Sequence, residues 1–294
     1  MRVAFPAALA LVVLPLTVGL FEAGRYDQRN SPTHTIMSSG VQRDYMLHVP
    51  ASYDSTRPAP LVLTMHGAGL WGAGHLALSR WDRLADEKGF IVVSPTGTDT
   101  GPNIWMGSDV LFLADLIDTV AARFNIDRSR VYVNGLSNGG GMSFEMSCAM
   151  RDRVAAVGMV GPALLLPWRG CRDLRPMPVI AFHGDDDRMT PYTGGISPVA
   201  PIPFPNIPAF MSRWAQRNGC GATPRDTAIA PDVVRRTWDC PAGAPVELRT
   251  ILGGGHTWPG GEPLPAWLLG ATSSHDATRA MWEFFERARD SRPR

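Results

Sequence analysis

Cysteine is scarce in this 294-residue chain: there are four, and no two stand in a Cys-x-x-Cys pair. A zinc knuckle and a dithiol redox motif both need paired thiolates at short spacing, so neither is expected. Charge is equally thin, at 19% of residues, with 28 Lys+Arg against 27 Asp+Glu for a formal net charge of +1. Without a basic block there is no electrostatic footprint for nucleic acid or for an anionic membrane surface. No internal repeat and no low-complexity linker divides the sequence, which argues against a solenoid or a string of modules. Hydrophobic residues, at 45%, supply a sizeable core and argue against intrinsic disorder.

The N-terminus carries the one long apolar run. Arg2 is followed by Val3 to Phe21, broken only by Pro6, Pro15, Thr17 and Gly19. A short basic start before an apolar stretch reads as an export leader over residues 1–24, leaving 25–294 as a single domain. The two prolines weaken a membrane-spanning helix, so no stable membrane association is expected once the leader is removed. A secreted or periplasmic location follows, and there the four cysteines, Cys148, Cys171, Cys220 and Cys240, are expected to form two disulfides. Three pairings are possible; the sequential one, Cys148–Cys171 with Cys220–Cys240, closes the shortest loops and is the expected one.

Strand-like and helix-like segments alternate. Tyr45–Val49, Leu61–Met65, Phe90–Ser94, Val131–Val133, Val179–Phe182 and Val246–Ile251 read as strands. Helices are expected over Leu78–Lys88, Asp109–Phe124 and Asn138–Met150, with a last one from near Ser274 that turns Ala277, Met281, Phe284 and Phe285 inward. In the second of these, Val110, Leu113, Ala114, Ile117, Ala121 and Phe124 form an apolar stripe, with Asp109, Asp115 and Asp118 off it. The alternation predicts an α/β fold, a mostly parallel central sheet with helices on both faces. The Pro-rich run from Ser197 to Pro208 is the one irregular insertion, a surface loop that could wall one side of a pocket.

Gly135-Leu136-Ser137-Asn138-Gly139 is a G-x-S-x-G pentapeptide set between a predicted strand and a predicted helix. That context is an elbow in which the serine occupies a strained turn and projects its hydroxyl from the sheet edge. The Asn138 N–H, at the helix start, is placed to stabilise an oxyanion. His66-Gly67-Ala68-Gly69 ends an earlier strand, and the backbone of Ala68, with Gly67 as the near alternative, is the second expected donor. His66 itself lies on the wrong side of Ser137 in chain order and is expected to be structural. A nucleophilic serine needs a base, and the base an orienting acid, in the order serine, acid, histidine for the α/β-hydrolase fold. Of the three downstream histidines, His256 sits in a Gly-rich loop after a strand and is the expected base; His183 is placed to brace the acid loop, and His275 is expected to be solvated. Asp185, Asp186 and Asp187 all follow the strand Val179–Phe182. Asp187 lies deepest in the loop, ahead of Pro191, and is the expected acid. Trp105 and Trp258 are candidates for an aromatic pocket wall. No metal or organic cofactor is needed for this chemistry.

From about Arg43 to Glu286 the chain resembles the secreted esterases grouped with polyhydroxybutyrate depolymerases and feruloyl esterases. The resemblance rests on Met65-His66-Gly67, Gly135 to Gly139, His183-Gly184-x-x-Asp187-x-x-x-Pro191-Tyr192, Asn218-Gly219-Cys220, and Gly254-Gly255-His256-Thr257-Trp258-Pro259-Gly260. It implies a triad of Ser137, Asp187 and His256, a Cys220–Cys240 disulfide, and a serine ester hydrolase acting on hydroxyalkanoate oligomers or feruloyl-type esters. Acyl transfer to an alcohol would use the same residues. A non-catalytic binding protein on this fold is disfavoured because no triad position is substituted.

Overall fold

All seven residues of strand β3 (Ala59–Met65) are buried, so this strand has a helix layer on each side of it. Its side chains alternate between two cores. Leu61, Leu63 and Met65 enter one, and Val62 enters the other. In this computed structural model the described residues are 33–99, 102–164, 171, 175–199, 201–262 and 265–291; the expected leader over residues 1–24 lies outside them.

A ten-stranded sheet organises the chain. It comprises β1 (Thr33–Ser38), β2 (Val41–His48), β3, β4 (Ile91–Pro95), β7 (Ile126–Leu136), β8 (Ala156–Val160), β9 (Val179–Gly184), β12 (Arg225–Ala230), β13 (Val233–Thr237) and β14 (Val246–Ile251), in the order β1-β2-β4-β3-β7-β8-β9-β14-β13-β12. The six central strands run parallel, and an antiparallel pair closes each edge. Two small ribbons, β5 (Thr98–Asp99) with β6 (Asn103–Ile104) and β10 (Gly195–Ile196) with β11 (Pro203–Phe204), decorate the loops. The second ribbon lies across the Pro-rich insertion.

One core packs α3 (Asp109–Arg123), α4 (Asn138–Ala149) and α5 (Ile207–Arg217) on the sheet; the other packs α1 (Gly72–Ser79), α2 (Trp81–Lys88) and α7 (Ala277–Asp290), with α6 (Ala266–Leu269) as a short turn beyond β14. Ala277, Met281, Phe284 and Phe285 all face inward from α7. The structure pairs Cys148 with Cys171 and Cys220 with Cys240.

Two local readings are corrected. The helix expected over Leu78–Lys88 is two helices, broken at Arg80, which takes the left-handed conformation at φ 58° and reaches Glu262 at 2.8 Å. The buried face of α3 is Asp109, Phe112, Leu113, Leu116, Ile117 and Val120, rotated from the expected stripe. Asp109 accounts for this. Its carboxylate accepts from Arg43 Nη1 at 2.7 Å, Thr98 Oγ1 at 2.8 Å and the Met106 N–H at 2.8 Å, and the Arg43 guanidinium lies 4.0 Å over the Phe112 ring. A satisfied acid can be buried at a helix start, and it sets which side turns in.

Candidate active site

Strand β7 delivers Ser137 and helix α4 leaves from it. Ser137 has φ 55° and ψ −118°, a conformation that side-chain-bearing residues rarely adopt. The turn is pinned on both sides. The Ser137 N–H donates to Val160 O at 2.9 Å, and its carbonyl accepts from Ala163 N at 2.8 Å and Gly141 N at 3.0 Å. Gly139 is required by close approach, because a Cβ there would strike the main-chain oxygens of Met65 and His66.

The parallel strands β7, β8, β9 and β14 are consecutive in the sheet, so the segments that follow them gather at one edge. Asp187 follows β9 and His256 follows β14. Their side chains meet at 2.7 Å, Nδ1 of His256 to Oδ2 of Asp187, with both groups buried. The acid is held from its other side. Met189 N and Thr190 N donate to Oδ1 at 2.8 and 2.9 Å, and Thr190 Oγ1 donates to Oδ2 at 2.9 Å. Burial alone would raise the Asp187 pKa, but the His256 charge and hydrogen bond, His183 and the Thr190 N–H together hold it below the ordinary carboxylate value. Asp185 and Asp186 are exposed; Asp185 instead accepts from Gly253 N at 2.6 Å. His256 is set in place by its own N–H, which donates to Leu269 O at 2.6 Å.

Gly161 and Thr190 belong to this cluster and escaped sequence reasoning. A Cβ on Gly161 would lie 3.1 Å from His256 Nδ1 and 3.3 Å from Asp187 Oδ2, so the hydrogen bond runs across a bare backbone. Gly161-Pro162 directly after an apolar stretch was the only signal available. Thr190 carried none, because a threonine three residues past an aspartate is common in turns.

The loop after β3 lies beside the elbow: a Cβ at Gly67 would be 3.4 Å from Ser137 Cβ. Gly67, the near alternative to Ala68 as donor, thus stands beside the serine. The loop is laced to residues 103–106. Gly69 N donates to Asn103 O at 2.9 Å, and the Trp105 indole N–H donates to His66 O at 2.9 Å. Asn138 clamps the same segment, its Oδ1 accepting from Trp105 N at 2.6 Å and its Nδ2 donating to Trp105 O at 3.2 Å. Trp105 is thus a fixed, largely buried ring bordering the elbow.

His66 is structural, as expected. Its Nδ1–H donates to Gly67 O at 2.8 Å, its Nε2 accepts from Gly97 N at 2.8 Å, and burial lowers its pKa to about 4. Trp258 requires correction. It is not a pocket wall but core, 1% exposed, its indole N–H donating to Thr278 Oγ1 at 2.9 Å and its ring edge-on to His75. The slot between α1 and α7 accepts the large apolar ring and satisfies its N–H, which the cleft would not. His275 is half-buried rather than solvated, and accepts from Arg249 at 2.7 Å. Among the described residues no His/Cys/Asp/Glu group is arranged to hold a metal, and no helix is long and apolar enough to cross a membrane.

No family model matches the chain. Feruloyl esterase B of Piromyces equi is 29% identical over 232 residues, which is 73% of this chain but 42% of that protein, so the chain spans less than half of this relative's length. Feruloyl esterase C of Emericella nidulans is 27% identical over 294 residues, covering 94% of this chain and 98% of the relative. Among solved structures, an acetyl xylan esterase from Aspergillus awamori superposes with a TM-score of 0.58 at 16% identity, covering 77% of this chain and 94% of that one. The fold is that of an α/β-hydrolase, and the resemblance to feruloyl esterases holds over most of the chain.

Proposed function

We propose that this chain, an α/β-hydrolase with feruloyl esterases among its relatives, is a serine carboxylic ester hydrolase, with Ser137 as nucleophile, His256 as general base and Asp187 as the acid that orients it. The observation that carries the reading is the buried 2.7 Å Asp187–His256 hydrogen bond at the same sheet edge as the strained Ser137 turn. In the reaction His256 Nε2 takes the Ser137 proton as Oγ attacks the ester carbonyl. The Ala68 and Asn138 N–H groups receive the oxyanion. His256 then protonates the leaving alcohol, and water repeats the sequence on the acyl-enzyme. Asp187 stays ionised and stabilises the imidazolium. None of these steps calls for a metal or an organic cofactor.

Feruloyl-type aromatic esters are the substrate class that the relatives favour; Trp105, at 5% exposed, would offer an aromatic acyl group only the edge of its ring. Hydroxyalkanoate oligomers are the other esters implied by the sequence motifs. Export to an oxidising compartment accords with the two disulfides. The test is turnover of p-nitrophenyl acyl esters and methyl ferulate by wild type and Ser137→Ala. A loss on the order of a million-fold is expected for a triad serine. A fluorophosphonate probe should label Ser137 alone. Retained turnover in Ser137→Ala, with contamination excluded, would remove the assignment.

A further inference from the structure

His183 ends β9, is fully buried, and has no part in the chemistry above. Its Nε2 lies 2.7 Å from the main-chain oxygen of Thr190. A carbonyl oxygen only accepts, so Nε2 carries the proton and Nδ1 carries none. Nδ1 is buried and meets no hydrogen-bond partner among the described residues. A buried acceptor left unpaired is costly, and an apolar side chain would not carry that cost. Retention of an imidazole here therefore points to what its N–H does.

That N–H faces the turn that carries the acid. Besides Thr190 O, Nε2 stands 3.4 Å from Asp187 Oδ2 and 3.5 Å from Thr190 Oγ1. Thr190 in turn gives Asp187 both its N–H and its hydroxyl, and the hydroxyl also stands 3.3 Å from His256 Nδ1. Holding Thr190 O thus holds the residue that aims the carboxylate. The ring is fixed against Tyr192 at 5.7 Å, and the Tyr192 hydroxyl is hydrogen-bonded to Thr250 at 2.8 Å. Asp187, His256 and Tyr192 are the titratable groups that face the imidazole. Burial keeps His183 neutral by lowering its pKa, so it donates a hydrogen bond without competing as a cation for the carboxylate.

We infer that His183 is a positioning residue for the reaction proposed above, locked as the neutral Nε2–H tautomer, which holds the Asp187–Thr190 turn so that Oδ2 faces His256. The inference rests on the triad reading. His183→Phe should still fold, at a somewhat lower melting temperature because its larger ring presses on Thr190 O. Its kcat should fall about 10- to 100-fold with KM little changed, as expected for a slightly misplaced catalytic group. The acid limb of its kcat/KM profile should move to lower pH, because a poorly aimed carboxylate supports the imidazolium less. His183→Gln, which retains an N–H donor, should recover part of kcat. Nitrogen NMR of histidine-labelled wild type, which needs no variant to fold, should show His183 as the Nε2–H tautomer at neutral pH. An Nδ1–H tautomer, or a His183→Phe enzyme with wild-type kcat and pH profile, overturns the inference; so does a drop in melting temperature with kcat unchanged. His256→Ala run alongside separates the two readings. If it is inactive while His183→Phe is wild type, only the positioning role falls; if it remains active, the triad itself falls.

Discussion

Removing the hydroxyl of Ser137 in two different ways measures the strain held in the turn that carries it. Ser137→Ala and Ser137→Gly both lack Oγ, so they differ only in the Cβ that makes φ 55° and ψ −118° unfavourable. Backbone held in such a region costs about 1–3 kcal/mol. Glycine escapes that cost but gives up about 0.5–1 kcal/mol through the greater freedom of the unfolded chain. The balance favours Ser137→Gly by roughly 0–2.5 kcal/mol, with about 1 kcal/mol as the central value. For a domain of this size 1 kcal/mol corresponds to about 2–4 °C in melting temperature. Both variants should be inactive, and Ser137→Gly should melt a few degrees above Ser137→Ala when scanned in parallel at one rate. If Ser137→Gly melts at or below Ser137→Ala, the turn stores no strain and the elbow argument fails in its energetics.

Other outcomes follow from the same geometry. Asp187→Asn should lose about ten-thousand-fold in turnover, since the imidazole is then free to take the wrong tautomer; Asp185→Asn and Asp186→Asn, at exposed positions, should stay near wild type, and the reverse pattern in steady-state kinetics would reassign the acid. Gly139→Ala would push a methyl into the Met65 and His66 main-chain oxygens. It should destabilise by about 1–3 kcal/mol or more and displace the loop after β3 proposed to bind the oxyanion, measurable as a lower melting temperature together with a lower kcat. Acid should weaken the fold. Burial lowers the pKa values of His66 and His75 to about 4 and about 3, whereas an unfolded chain protonates histidine near 6.5. Between about pH 6.5 and 4 the unfolded state therefore binds more protons, and stability drops as pH drops, by on the order of 2 kcal/mol per histidine at about pH 5. A denaturant midpoint that stays fixed from about pH 7 to 5 would contradict the buried neutral state of these rings.

Much of this arrangement was legible in the residues, and what escaped did so for physical reasons. Val246–Ile251 coincides with β14, and the parallel strands leading to Ser137, Asp187 and His256 were all visible, because short apolar runs and, in β14, apolar–polar alternation carry a strong local signal. Strand β8 did not, although Val160 anchors the Ser137 N–H. Its Ala156-Val157-Gly158 start has weak strand preference, and Gly158 is small because Met281 of α7 occupies the space a Cβ would need. The β12–β13 hairpin escaped because β12 is mostly exposed and has no apolar alternation. The α3 face was misread because a carboxylate was assumed to point outward, whereas Arg43, from a distant strand, together with Thr98 and the Met106 N–H makes the burial of Asp109 favourable. Trp258 was misassigned for a related reason: its ring turns into the core, where Thr278 of α7 accepts its indole N–H. For β8, α3 and Trp258 a partner elsewhere in the chain decided the outcome.

The exposed strand at the end of the sheet has a consequence for the protein at high concentration. A free β edge presents unpaired N–H and C=O groups and recruits further strands from other molecules, which leads to aggregation. In β12, Arg225 and Asp226 stand at the open edge, Asp226 is engaged by Arg236 at 2.7 Å, and the pairing with β13 slips between Ala228 and Ala230. Pro224 and Pro231 bracket the segment and offer no N–H on either side of it. Charge, irregular register and flanking prolines together make a poor template for a neighbouring chain. The colloidal behaviour of a nearly neutral molecule thus depends on a few residues remote from any chemistry, and a surface redesign that neutralised Arg225 and Asp226 would leave the sheet with an adhesive border.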